Sequence, residues 1–252
     1  MSESSLEQNK LDEIAGGERS LADLTRPGTT ERVKPFGIQW PAVWWLKWAT
    51  IHHMLHTLPV PQGAEVLDVG SGTGWASVLL AEAGYLPTGV DIAPGNVRIG
   101  ELHAERWNSV AKFQAADMDT LDLGRTFHAV LMFDALHHVD DPAAVVKRVG
   151  RHLKPGGWAL FGEPSLLHLL SPDARKVSRE KGWIENGIGA RSLRRWCREA
   201  GMPETRRFFE PTRPYSDRVR QFGWEAIRLV AANIAFAPSY HVWIAARKAQ
   251  EG

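Results

Sequence analysis

The chain has 252 residues, 44% hydrophobic and 23% charged, with a formal net charge of +1. That composition suits one large domain with a substantial core, and the near-zero charge supplies no global field toward nucleic acid or a membrane surface. A single cysteine, Cys197, excludes an internal disulfide framework and a multi-cysteine metal site, and is expected as a core thiol.

Residues 1–35 are polar, carry Gly16-Gly17 and Pro27-Gly28, and read as a mobile arm with one short helix near 6–15. The start, MSESSLEQNKLDE, lacks the basic and apolar regions of a signal peptide. No run of eighteen apolar residues marks a membrane span. A cytoplasmic protein without stable membrane insertion is therefore expected. Residues 41–58, PAVWWLKWATIHHMLHTL, read as a helix, with Pro41 in its first turn and Pro59 and Pro61 past its end. Four of the eleven tryptophans, Trp40, Trp44, Trp45 and Trp48, crowd into nine residues here. At about 100° per residue, Trp44, Trp48, Ile51 and Leu55 share one stripe, suited to core or lid packing. Trp45, His52 and His56 share the neighbouring one. One lysine, Lys47, is too little charge for a membrane-surface helix.

From residue 64 short β-rich runs alternate with helical periods. Strands are expected at 65–69, 86–91, 111–116, 127–133 and 157–162. Helices are expected at 74–83, 94–108 and 142–153, with Pro94 and Pro142 at their starts and Asp141 as a cap. This alternation argues a parallel, doubly wound α/β sheet. Beyond it the rhythm changes: an irregular stretch at 164–189, a helix at 190–200, a strand at 205–210, a helix at 217–233 and a last strand at 240–247.

The first strand feeds EVLDVGSGTGWAS, with glycines at 70, 72 and 74. In such a sheet, ligands bind beyond the carboxyl ends of the strands. The dinucleotide fingerprint is G-x-G-x-x-G; here the spacing is G-x-G-x-G, and Asp68 stands two residues before the first glycine. A carboxylate there opposes a pyrophosphate and suits a ligand carrying an ammonium. The lysine of a phosphate loop is absent. Asp91 ends the second strand, where an acid accepts ribose hydroxyls. Asp117 follows the third strand and can meet an adenine amino group, with Ile92 or Met118 flanking the ring.

Five segments in order, VLDVGSGTG (66–74), GVDIAP (89–94), AADM (115–118), FDALHHV (133–139) and LKPGG (153–157), resemble the class I S-adenosylmethionine-dependent methyltransferases. The resemblance is close over residues 60–163 and loose elsewhere. It implies a Rossmann-like, mostly parallel sheet of about seven strands with an antiparallel final strand, plus an N-terminal helical lid. Residues 1–58 would form arm and lid, and 59–252 the catalytic domain, with insertions around 164–189 and 212–238. It implies S-adenosylmethionine as cofactor, held by Asp68, Gly70, Ser71, Gly72, Gly74, Asp91, Ile92, Asp117, Met118 and Phe133. Asp68 would sit near the methionine ammonium, through the turn or water, with Asp91 at the ribose and Asp117 at the adenine.

Methyl transfer from a sulfonium is an in-line displacement, so the protein mainly orients the reactants and excludes water. A hydroxyl acceptor must also lose a proton. His138, His137 and Glu163 lie where the strand ends should face the cleft, and His138 is the favoured base. No [DN]-P-P-[YF] motif and no Pro-Cys nucleophile accompany them, which disfavours adenine, glutamine-amide and cytosine-C5 chemistry. Asp134, Asp140 and Asp141 are not spaced persuasively for a metal, and none is expected. Residues 164–220 carry thirteen Arg and Lys against seven Asp and Glu, including Arg191, Arg194, Arg195 and Arg198. This excess suggests a saccharide or anionic metabolite as acceptor. Oxygen is favoured over nitrogen, and a small molecule over nucleic acid. The rivals are an RNA or polyanion methyltransferase, a non-catalytic S-adenosylmethionine-binding subunit and a nicotinamide oxidoreductase. Oligomeric state is not legible.

Overall fold

A computed structural model describes residues 3–25, 41–166, 187–209 and 241–250. Its elements are α1 (Glu3–Thr25), α2 (Pro41–Thr57), β1 (Glu65–Val69), α3 (Trp75–Glu82), β2 (Leu86–Asp91), α4 (Pro94–Trp107) and β3 (Lys112–Ala115). There follow β4 (Phe127–Phe133), a single 3₁₀ turn (Leu136–His138), α5 (Pro142–Arg151), β5 (Leu153–Pro164), α6 (Ala190–Glu199), β6 (Glu204–Phe208) and β7 (His241–Arg247). The strands form one seven-stranded sheet in the order β3-β2-β1-β4-β5-β7-β6. β1 to β5 pair in parallel, and β7 runs antiparallel to both β5 and β6. This is the doubly wound sheet that the sequence pattern predicts, in the Rossmann-like form that the family resemblance implies.

Alternation along the strands divides the core between the two sheet faces. Leu67, Val69, Val130 and Met132 pack toward α5 and α6, with Leu193 and Cys197. Burial pushes the Cys197 thiol up to about 12, so it is an inert core group. Val66, Ala129 and Leu131 face the other way, toward α2 and α3, with Trp158 and Trp243. α2 buries Ile51, Met54 and Leu55 on that face, followed by Leu58 just past its end, with Trp48 against it, while Trp45, His52 and His56 turn outward. Trp40 and the side chain of Trp44 lie outside the described residues, as do the expected helix at 217–233, the insertion at 212–238 and most of that at 164–189.

Two elements differ from expectation. β5 begins at Leu153 rather than 157, because LKPGG is drawn into the strand across a register irregularity opposite Phe127 and Ala129. Helix α1 spans 23 residues instead of a short piece of a mobile arm. Gly16-Gly17 does not break it. A Cβ on Gly17 would lie 2.7 Å from Ala93 Cβ, and one on Gly95 2.4 Å from the Gly17 carbonyl carbon. The glycines let two backbones touch, and that contact offsets the roughly 1 kcal/mol helix cost of each.

Candidate functional site

The turn after β1 is pinned to β2: Gly70 N and Ser71 N both donate to Val90 O at 2.9 Å. Gly74 caps α3 with φ +77, and a Cβ there would strike the Phe113 ring at 2.5 Å. Gly72 is also left-handed, at φ +53, but a Cβ on it would meet nothing within 4 Å. Its bare backbone faces open space that a ligand can fill. Asp91 braces this turn from β2, accepting from Gly72 N at 2.8 Å, Ala93 N at 3.0 Å and Asn96 Nδ2 at 3.1 Å. Burial raises its carboxyl above the ordinary value, against those three bonds. Ser71 Oγ is buried with no hydrogen-bond partner among the described residues, a state that a bound polar ligand resolves.

A cavity of about 550 Å³ opens over this turn at the carboxyl ends of the strands. Gly70, Ser71, Gly72 and Asp91 form its floor. Ile92, Met118, Phe133 and His138 line it too. Five other residues expected at the site do not. Gly74 stands behind the turn, in the α3–β3 packing. Asp68 shares the face of Val66, so strand alternation turns it toward α3; it is buried there and accepts from Ser77 Oγ at 2.7 Å. Burial pushes its carboxyl up to about 7. Asp117 is engaged by α1: Lys10 Nζ lies 2.6 Å from it and 2.7 Å from Asp119. His137 and Glu163 lie beneath the wall.

Helix α1 closes the cavity on the side of α4. Glu13, Gly17, Arg19 and Ser20 form that wall. Burial, reinforced by the negative charge of Asp91, pushes the Glu13 carboxyl up to about 7. These residues were not expected at the site, and nothing local in the sequence announces which groove the helix fills.

The opposite end is built on the loop after β4. Asp134 adopts φ +55, an uncommon conformation for a non-glycine residue. Glu163 is fully buried and organises the next residues: it accepts from Ala135 N, Leu136 N and His137 Nδ1 at 3.0–3.2 Å. The His137 and His138 rings are 3.8 Å apart, and His138 reaches the cavity. Trp75 meets Phe133 edge-on at 5.7 Å, and Phe133 stacks on Trp243 at 5.5 Å. The arginines of α6 contribute nothing to this wall. Arg191, Arg194, Arg195 and Arg198 are exposed, with Arg194 bonded to Thr205 and Arg195 near Glu199. Among the described residues, no group of three or more His, Cys, Asp or Glu side chains is arranged to hold a metal ion, and no helix is long and apolar enough to cross a membrane.

A seven-stranded sheet of this order, with a glycine turn and a strand-end acid at its switch point, defines the class I S-adenosylmethionine-dependent methyltransferase fold. The family model described as "Methyltransferase domain" matches residues 47–203, and the chain belongs to that family. Among curated proteins it is similar to the ubiquinone biosynthesis O-methyltransferase of Idiomarina loihiensis, 32% identical over 173 residues. That match covers 68% of this chain, which spans 64% of the relative's length. Among solved structures it resembles the magnesium protoporphyrin IX methyltransferase of Synechocystis PCC 6803 with bound S-adenosylhomocysteine. The TM-score is 0.60 at 17% identity, covering 93% of this chain and 94% of that one. It also resembles the [4+2]-cyclase SpnF, with a TM-score of 0.61 at 19% identity over 98% and 97% of the two chains. At these identities the structural likeness shows the fold alone. Membership of the methyltransferase-domain family implies S-adenosylmethionine as the donor. Open backbone at Gly72, the orphaned Ser71 hydroxyl and the Asp91 carboxylate fit such a donor.

Proposed function

We propose that this chain methylates a hydroxyl oxygen of a small-molecule acceptor, with His138 as the proton acceptor. The observation that carries this reading is His138 itself: it lies in the cavity wall beside Phe133 and Asp134. The name of the Idiomarina relative supports oxygen as the methylated atom.

Gly72 and Ser71 would hold the donor by backbone and hydroxyl, Asp91 would accept from its ribose, and Ile92 and Met118 would flank its ring. Asp68 supports α3, and Asp117 docks α1. When bound, S-adenosylmethionine supplies an electrophilic methyl group whose bonding electrons leave with a neutral thioether. The protein holds the acceptor oxygen in line with that methyl, which supplies up to ~7–11 kcal/mol of barrier reduction. As the new O–CH₃ bond forms, the acceptor's O–H bond breaks and its proton passes to the His138 imidazole. Glu163 and His137 fix the turn that presents His138.

A saccharide or anionic metabolite is the finer reading, and it has lost its main carrier, since the α6 arginines stand outside the wall. The test is a screen of small hydroxylated compounds with methyl-labelled donor, reading S-adenosylhomocysteine release and the linkage of the product by NMR. O-linked methyl groups are expected. N-linked product, or cofactor binding with no turnover, overturns the reading. Acceptor binding that weakens steeply with salt would instead point to a polyanion.

A further inference from the structure

Three residues far apart in sequence converge at the acceptor end: Lys47 on α2, Asp134 after β4 and His241 at the start of β7. Lys47 Nζ lies 2.6 Å from His241 Nε2, and that Nε2 lies 3.7 Å from Asp134 Oδ1. Lys47 is 7% exposed and the His241 side chain 11%. The Phe133 ring covers the group, stacking on His241 at 6.0 Å with Lys47 Nζ 5.0 Å above it. Buried charges of this kind persist only when paired.

The geometry is asymmetric with respect to the cavity. Of the three, only Asp134 lines it. Its left-handed backbone is secured by its own N–H donating to Gly162 O at 2.9 Å, and conformations of this type concentrate at ligand-contacting positions. The Nζ–Nε2 contact requires one nitrogen to donate and the other to accept, so positive charge is shared just behind the carboxylate. Burial alone would raise the Asp134 carboxyl; the approach of His241 and the charge of Lys47 outweigh it and hold the group well below the usual range. Such a carboxylate accepts hydrogen bonds but does not take up a proton.

We propose that Asp134 is the residue that orients the methyl acceptor, taking a hydrogen bond from a hydroxyl of the bound molecule, and that Lys47 and His241 are positioning residues that keep its carboxylate charged and aimed. This rests on the hydroxyl-acceptor reading above and narrows it. The acceptor presents a hydrogen-bond donor at this point, and a carboxylate or phosphate there is repelled. Asp134 and His138 then divide the work. One aligns the acceptor and the other removes its proton.

The test uses the full chain with S-adenosylhomocysteine bound. Pyrogallol and glucose serve as hydroxyl probes and benzoate as an anionic one, each titrated by calorimetry. The native chain is expected to bind at least one hydroxyl probe more tightly than benzoate. Asp134→Asn should weaken that probe by roughly tenfold to a hundredfold, the range for a hydrogen bond to a charged group, with S-adenosylhomocysteine affinity unchanged. Asp134→Glu should restore part of the loss. Lys47→Met should weaken the probe in the same sense and Lys47→Arg should recover it, whereas a merely structural lysine would shift melting temperature and cofactor affinity and leave probe affinity alone. The proposal fails if benzoate binds best, if no hydroxyl probe binds, or if Asp134→Asn binds the probe like the native chain. It also fails if that variant loses S-adenosylhomocysteine instead, which would place Asp134 at the cofactor. Probe binding that depends on Asp134 without methyl transfer would sustain this inference and defeat the proposed activity.

Discussion

At one end of the cavity the wall is mostly backbone: a glycine turn, pinned to β2 and braced by Asp91, with the buried Ser71 hydroxyl beside it. At the other end the wall is side chains in contact: Trp75, Phe133, Asp134 and His138, with Lys47, His241 and Glu163 behind them. A backbone wall is fixed once the strands pair, and it presents the same groups whatever enters. A side-chain wall depends on pairings from across the chain, and changing one residue can retune it. The donor end therefore suits an invariant ligand, and the acceptor end is where specificity can vary.

Four perturbations sharpen that contrast. His138→Ala is expected to have the largest effect, lowering kcat by ~10²–10⁴-fold, the contribution of a positioned base. Calorimetry with S-adenosylhomocysteine should show unchanged affinity; loss of both together would make His138 structural. Asp91→Ala attacks the donor end. It should weaken S-adenosylhomocysteine by roughly 10- to 100-fold and lower the melting temperature, since the Gly72, Ala93 and Asn96 donors lose their partner.

Gly17→Leu should pry α1 from α4, because a single Cβ already meets Ala93 at 2.7 Å and overpacking of this kind costs about 1–3 kcal/mol. Stopped-flow displacement should show S-adenosylhomocysteine leaving severalfold faster; an unchanged rate would mean that α1 does not retain it. Asp68→Asn has the smallest effect, confined to pH dependence. The Asp68 carboxyl is raised by burial to about 7, so the folded state binds more protons than the unfolded state between about pH 4 and 7. Its contribution to stability is present below that window and is lost as pH rises through 7. The asparagine variant should gain melting temperature relative to the native chain at pH 8 and not at pH 4.

The same contrast explains what could be read in advance. Apart from its α1 wall, the donor end lies within residues 66–118, and its strand–turn–helix signals are local, so the sheet, the glycine turn and the position of Asp91 were legible. The inward aim of Asp68 follows from strand alternation, which it shares with Val66, and the glycine turn alone does not report it. Asp117 was misplaced because its partner Lys10 sits 107 residues away on a helix read as a mobile arm. The acceptor end was legible only where it was contiguous, in FDALHHV. Glu163 was noticed, but as a base in the cleft, when it is a buried brace for residues 135–137. The meeting of Lys47 with His241 spans 194 positions, and no periodicity or spacing reports a contact of that separation.

The glycine crossing of α1 over α4 also has a kinetic meaning. Glu13, Arg19 and Ser20 stand on the helix whose Gly17 rests on Gly95. Lifting the helix would dismantle one side of the donor cavity, so exchange of spent cofactor is expected to require movement of the helix. This arrangement predicts that the donor loads first and S-adenosylhomocysteine leaves last. Product inhibition should then be competitive against S-adenosylmethionine and noncompetitive against the acceptor. A single leucine at position 17 should release the enzyme from that order.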